Sequence, residues 1–329
     1  MDARICKKCV LPEFKPDIWL NQDGVCNICV DFQEHKASGK SLPPLESEFT
    51  KLLLKFRGKN KYDCLVMCSG GKDSTISLYY MKKKYHLNVL AFTFDHGFEN
   101  DEALENIRNA VDILGVEWLY FKSDFMKDVF RRMIETNTSA PLCHVCAIWY
   151  LQLTYDVAAR YRIPLVVAGW TKGQSTEYGE LGTEYTAMSK ATQVFIREYL
   201  RVLPQYKDFP LSIKEVLQIS RRKFRITSVS PHWFLRYEPE EIMQTLQKEL
   251  RWKAPLMSYP KDSTNCIMNF ASVYQTMRHF GYTHYHVEMS KLIRKNEMTR
   301  QEALKLLAID FDKAYCDSLL SKIGCCIAQ

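Results

Sequence analysis

No apolar run in this 329-residue chain approaches the roughly 18 residues that a membrane-spanning helix needs. The opening MDARICKKC also lacks the apolar core of a secretory signal. Both absences point to a cytoplasmic protein without a membrane role. Internal repeats and low-complexity tracts are missing too, which sets aside repeat architectures. A strong charge of one sign is likewise absent: 45 Lys and Arg against 38 Asp and Glu leave a net +7. That mild excess suits an anionic substrate such as a nucleotide or sugar nucleotide. It falls short of the basic stripe of a dedicated nucleic-acid binder, so nucleic acid is the lesser alternative.

Cysteine, by contrast, is plentiful. Twelve are present, grouped in pairs, in a chain far too long to depend on disulfides. Metal or redox use in a reducing compartment is the reading they support. Hydrophobic residues at 47% and charged residues at 25% are ordinary for a globular protein with a real core. The length fits one large α/β domain plus a smaller appendage, or two modest domains.

Residues 1–40 hold two Cys pairs and little helical periodicity, and read as a small metal-stapled module. Ser38–Leu45 (SGKSLPPL) has linker composition. A short amphipathic helix over 46–56 follows. From Tyr62 the pattern becomes strand, loop, helix, repeated. Strands are expected at 62–68, 88–94, 116–122 and 164–169, with helices at 74–85, 101–114 (closed by Gly115), 125–135 and 144–162. Such alternation predicts an α/β fold: a parallel sheet with helices on both faces, spanning 46–190. Ligands of such sheets bind at the carboxyl ends of the strands. The remainder, 191–329, reads as a mainly helical substrate or partner region. Within it, Thr299 with Glu302 three residues on forms a capping-box signature.

The most informative residues are Ser69-Gly70-Gly71-Lys72-Asp73-Ser74, directly after a buried strand and directly before a helix. Two glycines let the backbone turn sharply and bring its N–H groups close to a ligand. The helix that begins there offers unpaired N–H groups and a positive dipole end to an anion. Ser69, Ser74 and Thr75 add hydroxyls, and Lys72 adds a point charge. Walker A spacing is not met, since that pattern puts four residues between Gly and Gly-Lys. Asp95-His96-Gly97 ends the second strand and Gly169–Gln174 the fourth, both expected to line the same crevice. Asp73 is a candidate Mg²⁺ ligand, with helix capping as its alternative.

Cys6-x2-Cys9 and Cys26-x2-Cys29, sixteen residues apart, have the spacing of a four-cysteine zinc site. Four thiolates leave no open coordination position, so this zinc is expected to be structural. Cys143-x2-Cys146 opens the helix before the fourth strand, and Cys266 is a possible third member. Three thiolates could hold a [4Fe–4S] cluster with one iron open, or two could act as a redox or persulfide pair. A structural pair beside an unrelated cysteine is the bland alternative. Cys64 and Cys68 lie in a buried strand and read as small apolar residues. His279, His284 and His286 read as packed or surface histidines, with substrate contact the lesser option. Arg221-Arg222-Lys223 reads as a solvated charge run. The final Cys326-Ile-Ala-Gln formally matches a prenylation box, but nothing upstream supports it.

The loop Ser69–Ser74 resembles the PP-loop, SGGxDS, of ATP pyrophosphatases, a HUP-like fold group. The resemblance implies that the loop grips the β,γ-pyrophosphate of ATP and that cleavage falls between the α and β phosphates. Ser69, Gly70, Gly71, Lys72, Asp73, Ser74, Asp95 and Gly169 would then form the nucleotide site, with Lys72 and Asp73 catalytic. Most of the chain is similar to the N-acetyl sugar amidotransferases of surface-polysaccharide biosynthesis. The similarity covers Cys6–Val10, Gly24–Cys29, the PP-loop, Phe94–Gly97 and the tail from Phe280-Gly281-Tyr282 through Met298–Leu304. It implies that ATP and Mg²⁺ adenylate the acetamido oxygen of a nucleotide-linked sugar, and that ammonia from a separate glutaminase displaces AMP. No glutaminase signature occurs in the chain itself.

Two features depart from that family. It commonly has another residue at the position of Lys72, and the set Cys143, Cys146 and Cys266 is not expected there. Those cysteines resemble the cluster ligands of PP-loop tRNA-thiolating enzymes, some of which also carry N-terminal zinc ribbons. Sulfur transfer, with Cys143 and Cys146 catalytic, is therefore the alternative chemistry. A non-catalytic nucleotide-binding scaffold is the third reading.

Overall fold

The computed structural model describes residues 4–37, 46–174, 182–261 and 265–327. The expected linker over 38–45 lies outside them, as do Asp262, Ser263 and Thr264 of the Cys266 segment. Five strands form one sheet: β1 (Cys64–Met67), β2 (Val89–Asp95), β3 (Glu117–Lys122), β4 (Leu165–Val167) and β5 (Thr227–Val229). Their order is β3-β2-β1-β4-β5, and every pairing is parallel.

Side-chain alternation explains why both faces are covered. Leu65, Met67, Leu90, Phe92, Phe94 and Val166 point into one core, while Cys64, Val66, Cys68, Val89, Ala91, Leu165 and Val167 point into another. Strands apolar at every position cannot leave either face in water. Each fully buried Leu, Val or Phe contributes about 1.5–3 kcal/mol, enough to draw helices onto both sides. The first core is roofed by α5 (Phe125–Glu135), α6 (Leu142–Arg160), α8 (Ile213–Phe224) and α10 (Met268–Phe280). The second is covered by α2 (Glu46–Leu54), α3 (Lys72–Tyr79), α4 (Asp101–Leu114) and α9 (Pro239–Leu250). Cys64 and Cys68 are wholly buried there, as their apolar reading required.

The sheet winds outward in both directions from β1. The chain runs β1, β2, β3 to one edge and then returns for β4 and β5 on the other side. The carboxyl ends of β1 and β4 therefore form the switch point where open α/β sheets bind ligands.

Several expected boundaries move. The helix after the glycine loop starts at Lys72, and the helix expected at 144–162 starts at Leu142, which puts Cys143 in its first turn. The boundary at 190/191 falls inside α7 (Thr186–Phe195). Beyond that boundary β5 joins the sheet through Leu165–Thr227 and Val167–Val229 pairing. A three-residue strand flanked by helices carries too little periodicity to stand out, and only its pairing with β4 defines it.

The C-terminal helices are α10, α11 (His284–Arg294), α12 (Arg300–Leu306) and α13 (Lys313–Leu320). Thr299 opens α12 with the expected box: its hydroxyl accepts from Glu302 N–H at 3.2 Å, and its N–H donates to Glu302 Oε2 at 2.8 Å. Gly115 ends α4 in the left-handed conformation (φ +59°), as glycine does at helix C-termini. Arg221, Arg222 and Lys223 are exposed on the last turn of α8, a solvated run at the negative dipole end. The N-terminal module adds α1 (Asn27–Ala37) and packs on α11 and α12 rather than on the sheet.

Candidate active site

The glycine loop bends between β1 and α3 at the switch point. Gly70 has φ +77°, and a Cβ there would stand 2.1 Å from the Ala103 carbonyl oxygen, so the loop lies directly on the start of α4. Gly71 is the N-cap of α3, and no side chain caps the helix. The first amide N–H groups of α3 are thus left to an external acceptor, which an anion satisfies best. The hydroxyls brace the bend. Ser69 N–H donates to Ser74 Oγ at 3.2 Å, and Ser74 and Thr75 donate to the Gly71 carbonyl at 3.1 and 2.9 Å.

The fourth strand closes on the same point. A Cβ on Gly169 would lie 2.6 Å from Ser74 N and 2.7 Å from Asp73 C, so only glycine lets β4 approach the first turn of α3. Lys72 Nζ sits 3.4 Å from Asp73 Oδ2, both half-buried. Asp73 does not cap the helix. Its Oδ1 accepts from Tyr237 OH at 2.6 Å, and its backbone carbonyl faces His232 Nε2 at 3.1 Å. Trp252 Nε1 donates to the Gly70 carbonyl at 2.9 Å, as does Asn106 at 3.3 Å. Tyr237, His232 and Trp252 lie more than 150 residues from the loop in sequence and belong to no local motif, so nothing in the sequence marks them.

Asp95 is placed at the end of β2, yet its buried carboxylate is engaged. One oxygen accepts from Gly97 N–H at 2.6 Å and the other from the Tyr120 hydroxyl, with Lys122 at 3.8 Å. It ties the turn after β2 together rather than presenting a free oxygen. The same turn carries two buried titratable groups, His96 and Glu99, which face each other at 3.3 Å. Burial pushes the His96 imidazole down to about 4 and the Glu99 carboxyl up to about 8. Near neutrality the pair is therefore an uncharged one. Glu99 Oε2 accepts from Asn265 Nδ2 at 2.7 Å, and Glu99 and Cys266 pair as an antiparallel bridge.

Cys266 Sγ lies 3.6 Å from His96 Nε2. Cys143 Sγ faces Asn269 Oδ1 at 3.7 Å. Cys143, Cys146 and Cys266 are half-buried, share one electrostatic neighbourhood, and all feel Glu99. Burial pushes the Cys143 thiol up to about 11 and the other two well above the usual range. As free groups they are thiols rather than thiolates. Their sulfurs do not gather within 4.8 Å of one another as a mononuclear site requires; among the described residues only the N-terminal four cysteines do.

Helix α11 packs against the loop after β4. Glu288 accepts a hydrogen bond from Gln174 of the loop after β4, and it feels Asp73 and Lys72 on one side and Lys291 on the other. A Cβ on Gly173 would stand 2.9 Å from the Glu288 carbonyl oxygen, so this loop is seated directly on α11. Lys172 pairs with Glu297 at 2.8 Å and pins it there. Beyond Glu288, Lys291 Nζ lies 4.9 Å over the Tyr185 ring, and a buried pair joins Arg294 to Glu184 at 3.2 Å. His144 packs 6.0 Å from His284, and His286 Nδ1 accepts from Thr283 N–H at 3.2 Å as a helix cap. These histidines are packed groups. Glu288 carried no sequence signal, being one acidic residue on an amphipathic helix.

Cys6, Cys9, Cys26 and Cys29 are buried with ligand atoms all within 4.8 Å. Cys9 and Cys26 sulfurs are 3.7 Å apart. A tetrahedron with metal–sulfur bonds of about 2.3 Å has edges of about 3.8 Å, so the set fits a four-coordinate ion. The N–H groups of Lys8, Cys9 and Cys26 donate to Cys6 Sγ at 3.3–3.4 Å, stabilising a thiolate. Cys6 is held below the usual thiol range by its neighbours, Cys26 foremost. Arg300 Nε donates to the carbonyls of Cys6 and Cys9 at 3.2 and 2.9 Å, and Val10 N–H donates to Ser290 of α11 at 3.3 Å. Phe14 packs edge-on against Phe280 and Tyr282.

Two family profiles match the chain. Residues 63–143 match QueC, the queuosine biosynthesis protein, and residues 264–325 match the C-terminal domain of WbpG-like LPS biosynthesis proteins. An uncharacterized protein of Methanocaldococcus jannaschii is 22% identical over 85% of each chain. The tRNA-specific 2-thiouridylase MnmA 2 of Fusobacterium nucleatum is 27% identical over 40% of each. Among solved structures, the U34-tRNA thiolase NcsA of Methanococcus maripaludis with its [4Fe–4S] cluster aligns over 98% of this chain and 89% of its own. That alignment has 16% identity and a TM-score of 0.38. The NH3-dependent NAD synthetase of Campylobacter jejuni aligns over 84% and 91%, with 17% identity and a TM-score of 0.38. No helix among the described residues is long and apolar enough to cross a membrane. The SGGKDS loop at the β1–β4 switch point lies within the segment that matches QueC, and helices α10 to α13 lie within the segment that matches the C-terminal domain of WbpG-like LPS biosynthesis proteins.

Proposed function

We propose that the protein is an ATP-dependent amidotransferase acting on a nucleotide-linked N-acetyl sugar, with ammonia supplied by a glutaminase partner. One observation carries the reading. Helix α11 of the WbpG-like segment is seated on the loop after β4, and Gly169 of that loop packs on the first turn of α3, so the WbpG-like segment adjoins the glycine bend. The chemistry is coherent. An amide oxygen leaves poorly, and joining it to the α-phosphorus of ATP makes it part of AMP, which leaves well. The N–H groups of the Ser69–Ser74 bend and Lys72 would hold the departing pyrophosphate, stabilising charge as it develops. Asp73, with one oxygen beside Lys72 and the other fixed by Tyr237, is suited to orient Mg²⁺ on the phosphates. The four N-terminal thiols would hold zinc as a brace for α11 and α12, in a cytoplasmic enzyme of surface-polysaccharide synthesis.

The test is release of pyrophosphate from ATP on adding nucleotide-linked N-acetyl sugars, with ammonium salt replacing the partner. Lys72→Met and Asp73→Asn are expected to lower that release by about 100-fold or more with the fold intact. ATP binding without turnover under any acceptor would instead indicate a scaffold subunit.

Sulfur transfer is a second reading, favoured by Cys143, Cys146 and Cys266 lying in one half-buried neighbourhood beside Glu99. Their residue types and mutual proximity fit a cluster whose ligands sit on separate irons. Anaerobically prepared protein that is brown and iron-loaded, and loses both properties in Cys143→Ala, would favour this reading. A colourless protein holding only zinc favours amidation.

A further inference from the structure

Helix α11 carries Glu288 where the loop after β4 is seated on it. Gln174 donates to Glu288, Gly173 brings the loop backbone against the same residue, and Asp73 and Lys72 of the phosphate bend are its electrostatic neighbours. No lysine or arginine side chain forms an ion pair with Glu288 among the described residues, unlike Glu184, which Arg294 holds at 3.2 Å, or Glu297, which Lys172 holds at 2.8 Å. A carboxyl group buried without an ion pair, beside other groups of a site, marks a candidate for proton transfer.

We propose that Glu288 is the general base that takes the acetamido N–H proton as that group's oxygen is adenylated, an inference that rests on the function proposed above. The acetamido oxygen forms a bond to the α-phosphorus, and the bond between that phosphorus and the bridging oxygen breaks, so that pyrophosphate leaves with the electron pair. The N–H electron pair becomes the C=N bond of the imidate, and its proton passes to the Glu288 carboxylate. Ammonia then adds to the imidate carbon, the C–O bond breaks toward AMP, and the amidinium forms without a further proton. Glu288 returns its proton to solvent before the next turnover, which is the one proton the overall reaction releases.

The proton affinity of the group suits the task. Burial pushes Glu288 up to about 8, opposed by Lys291, the Gln174 hydrogen bond and Lys72, with Asp73 raising it further. Cys143 from α6, Tyr185 and Tyr285 also face it and are neutral at that pH. A base of this strength takes a proton well but is fully available only above about pH 8.

The experiment is acceptor-dependent exchange of labelled pyrophosphate into ATP, run without ammonia so that ammonium titration does not enter. The full-length, metal-loaded protein is used with a panel of UDP-linked N-acetylhexosamines. For wild type, kcat/KM for the acceptor should rise with pH to a plateau above about 8. Glu288→Gln keeps the shape and the contact to Gln174. It should leave ATP affinity within about twofold, lower exchange by about 100-fold or more, and flatten the pH limb. Glu288→Asp should recover part of the rate with the limb restored. Wild-type exchange and an unaltered pH limb in Glu288→Gln would overturn the assignment. So would a loss of ATP affinity in step with the rate, which would mark a structural residue. If wild type itself exchanges with no acceptor, the proposed function fails first and this inference fails with it.

Discussion

Replacing Gly70 by alanine tests whether the phosphate bend is built as described. Gly70 adopts φ +77°, a conformation that costs an L-residue about 1–2 kcal/mol. The new methyl would stand 2.1 Å from the Ala103 carbonyl oxygen, 2.6 Å from its carbon and 2.8 Å from its Cα. All three are backbone atoms of α4 that cannot rotate away, so the bend or the helix must shift. Overpacking of that kind typically costs about 1–3 kcal/mol. Any shift also strains the hydrogen bonds that the Gly70 carbonyl accepts from Trp252 and Asn106. The expected loss is about 2–5 kcal/mol, a large part of the roughly 5–15 kcal/mol that holds a domain together. Gly71→Ala is the control: its φ is −70°, and its Cβ would meet nothing nearer than 3.8 Å. Its stability should stay within about 0.5 kcal/mol of wild type, while ATP affinity falls because a methyl intrudes where phosphate oxygens approach. Urea unfolding followed by tryptophan fluorescence measures the first effect and nucleotide titration the second. Equal unfolding midpoints for Gly70→Ala and wild type, or equal losses in the two variants, would show that the bend does not lie against α4 at Ala103.

Acid sensitivity follows from the packed histidines. His284 is pushed down to about 3 by burial, with His144 and His286 adding to it, so it is neutral in the fold. Unfolding then takes up a proton below the free value of about 6.5, and stability falls from there as pH drops, by up to about 1.4 kcal/mol per unit. His284→Gln should flatten the pH 6.5-to-5 decline by about 2 kcal/mol in denaturant melts at the two pH values; parallel curves would show that His284 is not the cause. Arg300 joins the four-cysteine module to α12. Arg300→Ala removes both carbonyl contacts to Cys6 and Cys9, each worth about 1.5–3 kcal/mol at a charged donor. Zinc loaded onto the four thiols should pass to a chromogenic chelator at least about tenfold faster than in wild type loaded to the same content, whereas an unchanged release rate would mean that the Arg300 contacts do not hold the module.

The parts of this protein visible in its sequence are those whose chemistry is local. Ser69–Ser74 needs only adjacent residues: two glycines, hydroxyls and a lysine between an apolar run and a helix. The Cys6/Cys9 and Cys26/Cys29 pairs likewise announce themselves by spacing, and their sulfurs do converge. The alternation of strand and helix from Tyr62 to Gly169 named the fold class, because strands buried on both faces are apolar throughout. Asp95 was singled out by its place after β2, but position cannot reveal that Gly97 and Tyr120 already occupy its oxygens. The boundary expected near 190 failed for a related reason. The contacts of β5 with β4 join residues about sixty positions apart, and no window of sequence contains both.

What the sequence alone determined is the glycine bend, the four-thiol cluster and the class of sheet, each encoded in neighbours along the chain. Tertiary structure alone decided what surrounds the bend. It set α11 on the loop after β4, brought Tyr237 to Asp73 and Trp252 to Gly70, and gathered Cys143, Cys146 and Cys266 around Glu99. The physical reason is that these groups act through burial and long-range contact. A carboxyl on an amphipathic helix looks like any solvated one until folding removes its water and chooses its neighbours.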